Sequence, residues 1–151
     1  IWITPNSTAP TAGLHYYEDP VPNFSYLVIT GLDVSNLATR IAREVPVYSS
    51  DELLDFALNA SNHNQQFRAI NQLAIGFVRF DPTAYAIIMT FARQAQNPLL
   101  RQAAVNSITF RAWPHFRPLL EQIVADDPAD NVRQHAARIL AHWPHSDVAP
   151  S

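Results

Sequence analysis

Three arginines, Arg68, Arg101 and Arg133, stand 33 and 32 residues apart, each following an apolar residue and preceding small and aliphatic residues at helical spacing. A second series, Ser50, Pro82 and Pro114, advances by 32 and 32. Two interleaved series with one period point to a repeated two-helix unit, and such a unit buries its apolar face only by stacking on its neighbours. The clearest copy is residues 97–110, NPLLRQAAVNSITF, in which Asn97 and Pro98 open the helix and Leu100, Ala103, Ala104 and Ile108 fall on one face. The fold class is therefore mainly α.

Composition narrows the functions open to such a stack. The chain has 151 residues, 48% of them hydrophobic, which suits a small core or a few stacked helical pairs. All ten basic residues are arginine and the formal net charge is −3, against the basic stripe that phosphate binding needs, so no nucleic-acid partner is expected. Without cysteine there is no disulfide, thiolate nucleophile or cysteine-ligated metal. The longest apolar run, residues 84–92, is too short to cross a bilayer, so no membrane insertion is expected. The sequence opens on Ile1 rather than methionine, as a processed chain or one trimmed of a leader does, and this tilts the expectation of compartment towards export to the periplasm.

Residues 1–13 are rich in Pro, Thr, Ser and Ala and read as an extended arm. Residues 15–18 and 24–30 are aromatic and β-branched on either side of a proline-stiffened connection, the pattern of a short hairpin. Residues 34–45 carry Leu37, Ala38, Ile41, Ala42 and Val45 at helical spacing, with Asp33 or Ser35 as the cap. Residues 1–48 thus form an arm and N-terminal cap, 49–145 hold three helical pairs (about 49–80, 81–113 and 114–145), and 146–151 are a tail. In the first pair Ser49 and Glu52 make a capping box, with a buried stripe of Leu53, Leu54, Phe56, Ala57 and Leu58. Asn62, His63 and Asn64 form its turn and residues 65–77 its second helix.

The segments NPLLRQAAVNSI and DNVRQHAARIL resemble the second helix of HEAT repeats, especially the short bacterial kind found in phycobilin-lyase proteins. The likeness runs over about residues 49–143. The first copy, NQQFRAINQLAI, lacks the proline and has Asn71 where the others have Ala104 and Ala136. The resemblance implies a right-handed α-solenoid with second helices lining a concave wall, and a role in holding another protein or a peptide as adaptor, accessory subunit or regulator. It also implies that Arg68, Arg101 and Arg133 are a structural ladder, each bonding turn carbonyls or a residue such as Asn64, Asn97 or Asp130 to fix the angle between repeats.

Polar positions off the core stripe of the second helices, Gln72, Gln102, Asn106, Gln134, Arg138 and His142, are then the partner-binding candidates, with Trp113 as an aromatic anchor should it be exposed. Residues 1–30 can add a strand to a partner or to a second copy, making the chain a subunit of a complex. Chemistry is not encoded. His135, His142 and His145 lack carboxylates at ligand spacing, and Pro144 separates the last two. Asp126 and Asp127 sit at a helix end and read as solvated or capping carboxylates. With only three glycines there is no phosphate loop and no nucleophile elbow, so no enzyme activity, metal or cofactor is expected. The alternative is a lyase-like handler of a tetrapyrrole or other small molecule, which would need a deep, closed pocket where an interaction module needs an open groove. The triplets at Asn6, Asn23 and Asn59 are glycosylation sequons of use only along a eukaryotic secretory route.

Overall fold

The computed structural model describes residues 12–19 and 24–144. The predicted arm up to Thr11, the connection 20–23 with its sequon, and the tail from His145 lie outside the described residues. The chain divides into two compact units, residues 1–49 and 50–151.

The first unit is a hairpin and a helix. Strand β1 (Ala12–Asp19) pairs antiparallel with β2 (Phe24–Gly31), longer at both ends of β1 than the aromatic run alone suggests. Opposed pairs Leu14–Ile29 and Tyr16–Leu27 share one face, and Tyr17 stacks on its cross-strand partner Tyr26 with ring centroids 5.1 Å apart. Gly31 ends β2 at φ 120°, a backbone conformation that costs glycine little, and so lets the chain turn. Helix α1 (Val34–Glu44) packs along β2. Asp33 occupies its cap position without capping an amide; its carboxylate accepts instead from Asn36 Nδ2 at 3.2 Å.

The second unit is all helical among the described residues. Helices α2 (Ser50–Leu58) and α3 (His63–Gly76), α4 (Pro82–Gln94) and α5 (Pro98–Ser107), and α6 (Phe116–Asp126) and α7 (Asp130–Ala141) form three pairs, with a 3-10 turn at Ile108–Phe110 after α5. The second helices stack in a row, α3 on α5 and α5 on α7. Local chemistry sets the helix starts. Asn62 Oδ1 accepts from Gln65 N at 3.0 Å, so α3 begins at His63, two residues before the expected start, because Asn62 caps the helix rather than shaping a turn. Asp81 Oδ1 accepts from Thr83 N and Ala84 N at 2.9 and 2.8 Å, and Asn97 Oδ1 from Leu99 N at 2.9 Å, each ahead of a proline in the first turn. Pro114 lies in the turn before α6 rather than at its start.

The core is continuous through the stack: Ile70, Leu73, Ile88, Val105, Ile108, Phe116, Leu120 and Val132 are essentially inaccessible. Leu58, expected in the first stripe, is 66% exposed, because it is the last residue of α2. On α3 the six residues from Ala69 to Ala74 are all buried. An unbroken run means a helix covered on several sides, and α3 does contact α2, α4 and α5.

Candidate interaction face

The middle arginine is a joint between repeats. Arg101, on α5, donates from Nε and Nη2 to Asp127 Oδ2 and Oδ1 at 2.8 and 3.0 Å, and from Nη1 to the carbonyls of Ala95 and Gln96 at 2.8 and 3.2 Å. Both side chains are nearly sealed from solvent, at 7% and 4% exposure. Of the two roles its position suggested, solvated or capping, Asp127 is therefore not solvated. It sits at the C-terminal cap of α6 and accepts from both Arg101 and the amide of Ala129 at 2.8 Å. Burial pushes its carboxyl up, but the bonds from Arg101 and Ala129 and the positive field of Arg101 and Arg133 hold it below the usual carboxylate range. Reciprocally, the hydrogen bonds to Asp127 outweigh burial and raise the Arg101 guanidinium.

The three arginines are not equivalent. Arg133 repeats the local part of the pattern, donating to the Asp127 carbonyl and to Asp130. Arg68 instead lies over the Phe56 ring at 5.7 Å, and its Nε is buried without a hydrogen-bond partner among the described residues. Repeat geometry explains the difference. The cap residue of α4 that corresponds to Asp127 is Ala95, at φ −60° and ψ 126° against −64° and 131°. The backbone is ready but the carboxylate is absent.

The partner-binding candidates separate into two groups. Gln72 is buried at 9% exposure and Trp113 at 7%, so neither is a surface contact. Counted from the repeat arginines, Gln72 corresponds to Val105, which is also buried on α5, and to Ala137, which is exposed on α7. The position is covered wherever another second helix follows in the stack. Trp113 stacks on Phe116 at 5.4 Å and meets the edge of Phe80 at 5.4 Å, packing that fills the turn between pairs. Its indole Nε1 has no hydrogen-bond partner. Phe80 is the aromatic left 41% exposed, with His115 stacked on it at 3.8 Å.

Of the other five candidates four lie on α5 and α7 and His142 caps the C-terminal end of α7; all but Gln134 join in a polar strip. Asn131 Nδ2 donates to Gln102 Oε1 at 2.9 Å, and His135 Nε2 lies 3.2 Å from Asn106 Oδ1, so two bridges cross from α7 to α5. Arg138 Nη2 lies 3.4 Å from His135 Nδ1, and His142 Nδ1 lies 2.9 Å from the Arg138 carbonyl. A guanidinium only donates and a carbonyl only accepts, which fixes both rings. His135 accepts at Nδ1 and carries its proton on Nε2 towards Asn106, while His142 donates from Nδ1. Burial, then the Arg138 charge, lowers the His135 pKa and favours that neutral ring. Gln134 is exposed on α7 but has no bond in this strip among the described residues. Sequence reading missed Asn131 and gave His135 no part in binding, although His135, Arg138 and His142 show their shared face in spacings of three and four.

The strip ends in a groove of about 430 Å³. Ala112, Ile139, Trp143 and Pro144 supply its apolar lining, and Thr109, His135, Arg138 and His142 its polar lining. The strip does not extend to the first pair, because the residues of α3 that correspond to Gln102 and Asn106 are Ala69 and Leu73, both buried. Among the described residues no group of three His, Asp or Glu side chains is placed to hold a metal, and no helix is long and apolar enough to cross a membrane.

The sequence model for HEAT repeats matches residues 50–141, the span of all three helical pairs. The chain is a HEAT-repeat protein. Neither a curated protein nor a solved structure matches it. HEAT repeats generally act as scaffolds that bind other proteins, and in this HEAT-repeat protein the bridged polar strip lies across α5 and α7.

Proposed function

We propose that this HEAT-repeat protein is a non-catalytic interaction module, an adaptor, accessory subunit or regulator, that holds a partner protein against the face of α5 and α7. The observation that carries the reading is the pair of side-chain bridges between these helices, Gln102 with Asn131 and Asn106 with His135, leading to a groove beside Arg138. Such bridges hold exposed amide and imidazole groups in one arrangement, so a partner meets preset donors and acceptors over an apolar depression. The groove is open on its solvent side, the shape that suits a peptide or helix, whereas handling a tetrapyrrole calls for an enclosed cavity. The net charge of −3 opposes a nucleic-acid partner.

The test is an affinity capture with mass spectrometry from the native source, using wild type beside the Gln102→Glu, Arg138→Glu double variant, with both shown to melt alike. Loss of one specific protein from the variant supports the reading. Equal recovery from both would refute the α5–α7 face as the site, and a co-purifying small molecule lost only from the variant would favour the lyase-like alternative.

A further inference from the structure

We propose that the groove at the C-terminal end of α7 takes an acidic peptide segment of the partner, seating a carboxylate on Arg138 and an adjoining bulky apolar side chain against Ala112, Ile139 and Pro144. This rests on the reading of α5 and α7 as the binding face and adds the chemistry of what binds there. The sign of the groove is the first support. Among the described residues its charged or titratable lining is Arg138, His135 and His142, with no carboxylate, in a chain whose formal net charge is −3. The acid of α7, Asp130, is eight residues before Arg138, roughly 12 Å along the helix, and it already binds Arg133. The groove is thus a local positive spot on an acidic protein.

The state of Arg138 is the second support. Among the described residues, ion pairs engage Arg101, Arg117 and Arg133 but not Arg138. Its contact with His135 Nδ1, at 3.4 Å, uses one donor of the five that a guanidinium carries, at a long distance. A carboxylate matches that planar fork with two parallel bonds. On this side of the groove His142 donates from Nδ1 to the Arg138 carbonyl, so in the neutral ring Nε2 is an acceptor, suited to a backbone N–H of the peptide beside the carboxylate that Arg138 holds. The third support is the lining: Ala112, Ile139 and Pro144 beside the cation, with the buried Trp143 behind them, suit a ligand whose charge and apolar bulk are neighbours, as in Asp or Glu next to Leu or Phe. The volume, about 430 Å³, lies within the range of sites that bury a small ligand or a few side chains.

A display library of random linear peptides is panned against the full chain. Selected peptides are then synthesised, and their affinities measured by fluorescence polarisation with wild type, Arg138→Gln, Arg138→Lys, the double variant Gln102→Ala, Asn106→Ala and, as a control cation on α6, Arg117→Gln. The expected result is enrichment of a carboxylate beside a large apolar residue, and binding about tenfold or more weaker in Arg138→Gln. Arg138→Lys should fall between, Arg117→Gln should match wild type, and the Trp143 indole resonance should move on binding. All variants should keep the wild-type melting curve, since Arg138 is exposed. Peptides without a carboxylate that nevertheless depend on Gln102 and Asn106 would overturn this inference and leave the interaction face standing. Peptides insensitive to every change on α5 and α7, or no selection at all, would overturn both. A dimer dissolved by Arg138→Gln would assign the groove to a second copy and overturn the inference too.

Discussion

Removing the Asp127 carboxylate should be among the most damaging single changes this stack can suffer. In Asp127→Ala, Arg101 loses the two bonds from Nε and Nη2 and keeps those from Nη1 to Ala95 and Gln96, while Ala129 loses its acceptor. A guanidinium 7% exposed cannot recover that loss from water without opening the α5–α7 packing. Breaking one side of a buried ion pair costs about 3–5 kcal/mol, and Arg101 sits inside that range because its carbonyl bonds survive. The expected loss is about 4 kcal/mol, a large share of the 5–15 kcal/mol typical of a domain of roughly this size. At about 4–8 °C per kcal/mol, the melting temperature should fall by about 15–30 °C. Thermal and urea unfolding followed by circular dichroism read this directly. The double variant Arg101→Met, Asp127→Leu removes both charges and should be clearly more stable than Asp127→Ala, since two apolar side chains leave no orphaned ion. An Asp127→Ala loss below about 1 kcal/mol, or a double variant as unstable as the two single losses added together, would refute the claim that the pair acts as one buried unit.

Three further outcomes follow from the same geometry. Ala95→Asp should place a carboxylate at the cap of α4 in the backbone conformation that Asp127 has, giving the orphaned Arg68 Nε an acceptor and raising stability by about 1 kcal/mol; a lower urea midpoint would show that repeat equivalence does not extend to the first pair. Because the folded-state pKa of Asp127 is depressed, its contribution is present above the unfolded value of 3.8 and is lost as pH falls through the folded value, so the stability gap between wild type and Asp127→Asn should narrow below about pH 4 and stay constant from pH 5 to 7. Asp81→Ala, which leaves the amides of Thr83 and Ala84 without their acceptor, should cost about 1–2 kcal/mol, measured by the same urea unfolding.

Why some of this was legible in the sequence and some not follows from the range of the interactions. The caps Asp81 and Asn97 and the prolines behind them act within one helical turn, so their spacing states the structure they make, and the period of the arginines shows that the unit recurs. The helices and their pairing could be read from such signals. Gln72 could not, because its burial depends on a neighbouring helix that covers one position in α3 and α5 and leaves the same position bare in α7. Trp113 shows the same limit: nothing in its local sequence tells that Phe80, 33 residues earlier, and Phe116 fold over it. Asp127 is the sharpest case. Its neighbours describe an ordinary helix end, and only the arginine 26 residues upstream turns it into the buried half of an ion pair.

The same contrast bears on where binding falls. A side chain committed to a joint is unavailable to a partner: Arg101 gives its donors to Asp127, Ala95 and Gln96, while Gln102 and Asn106 on the same helix face the strip, and the first pair presents Ala69 and Leu73 where the others present polar groups. Arg138 corresponds to Asn106 and Leu73 in the earlier copies, so it is the one member of its series with a charge, and it stands where the polar strip meets the groove. Structural positions recur because every joint faces the same geometric demand, even at Ala95, where the carboxylate is missing. A binding role has no reason to repeat, and the side chain that breaks the series, on the exposed part of the last second helix, is where a specific partner can be recognised.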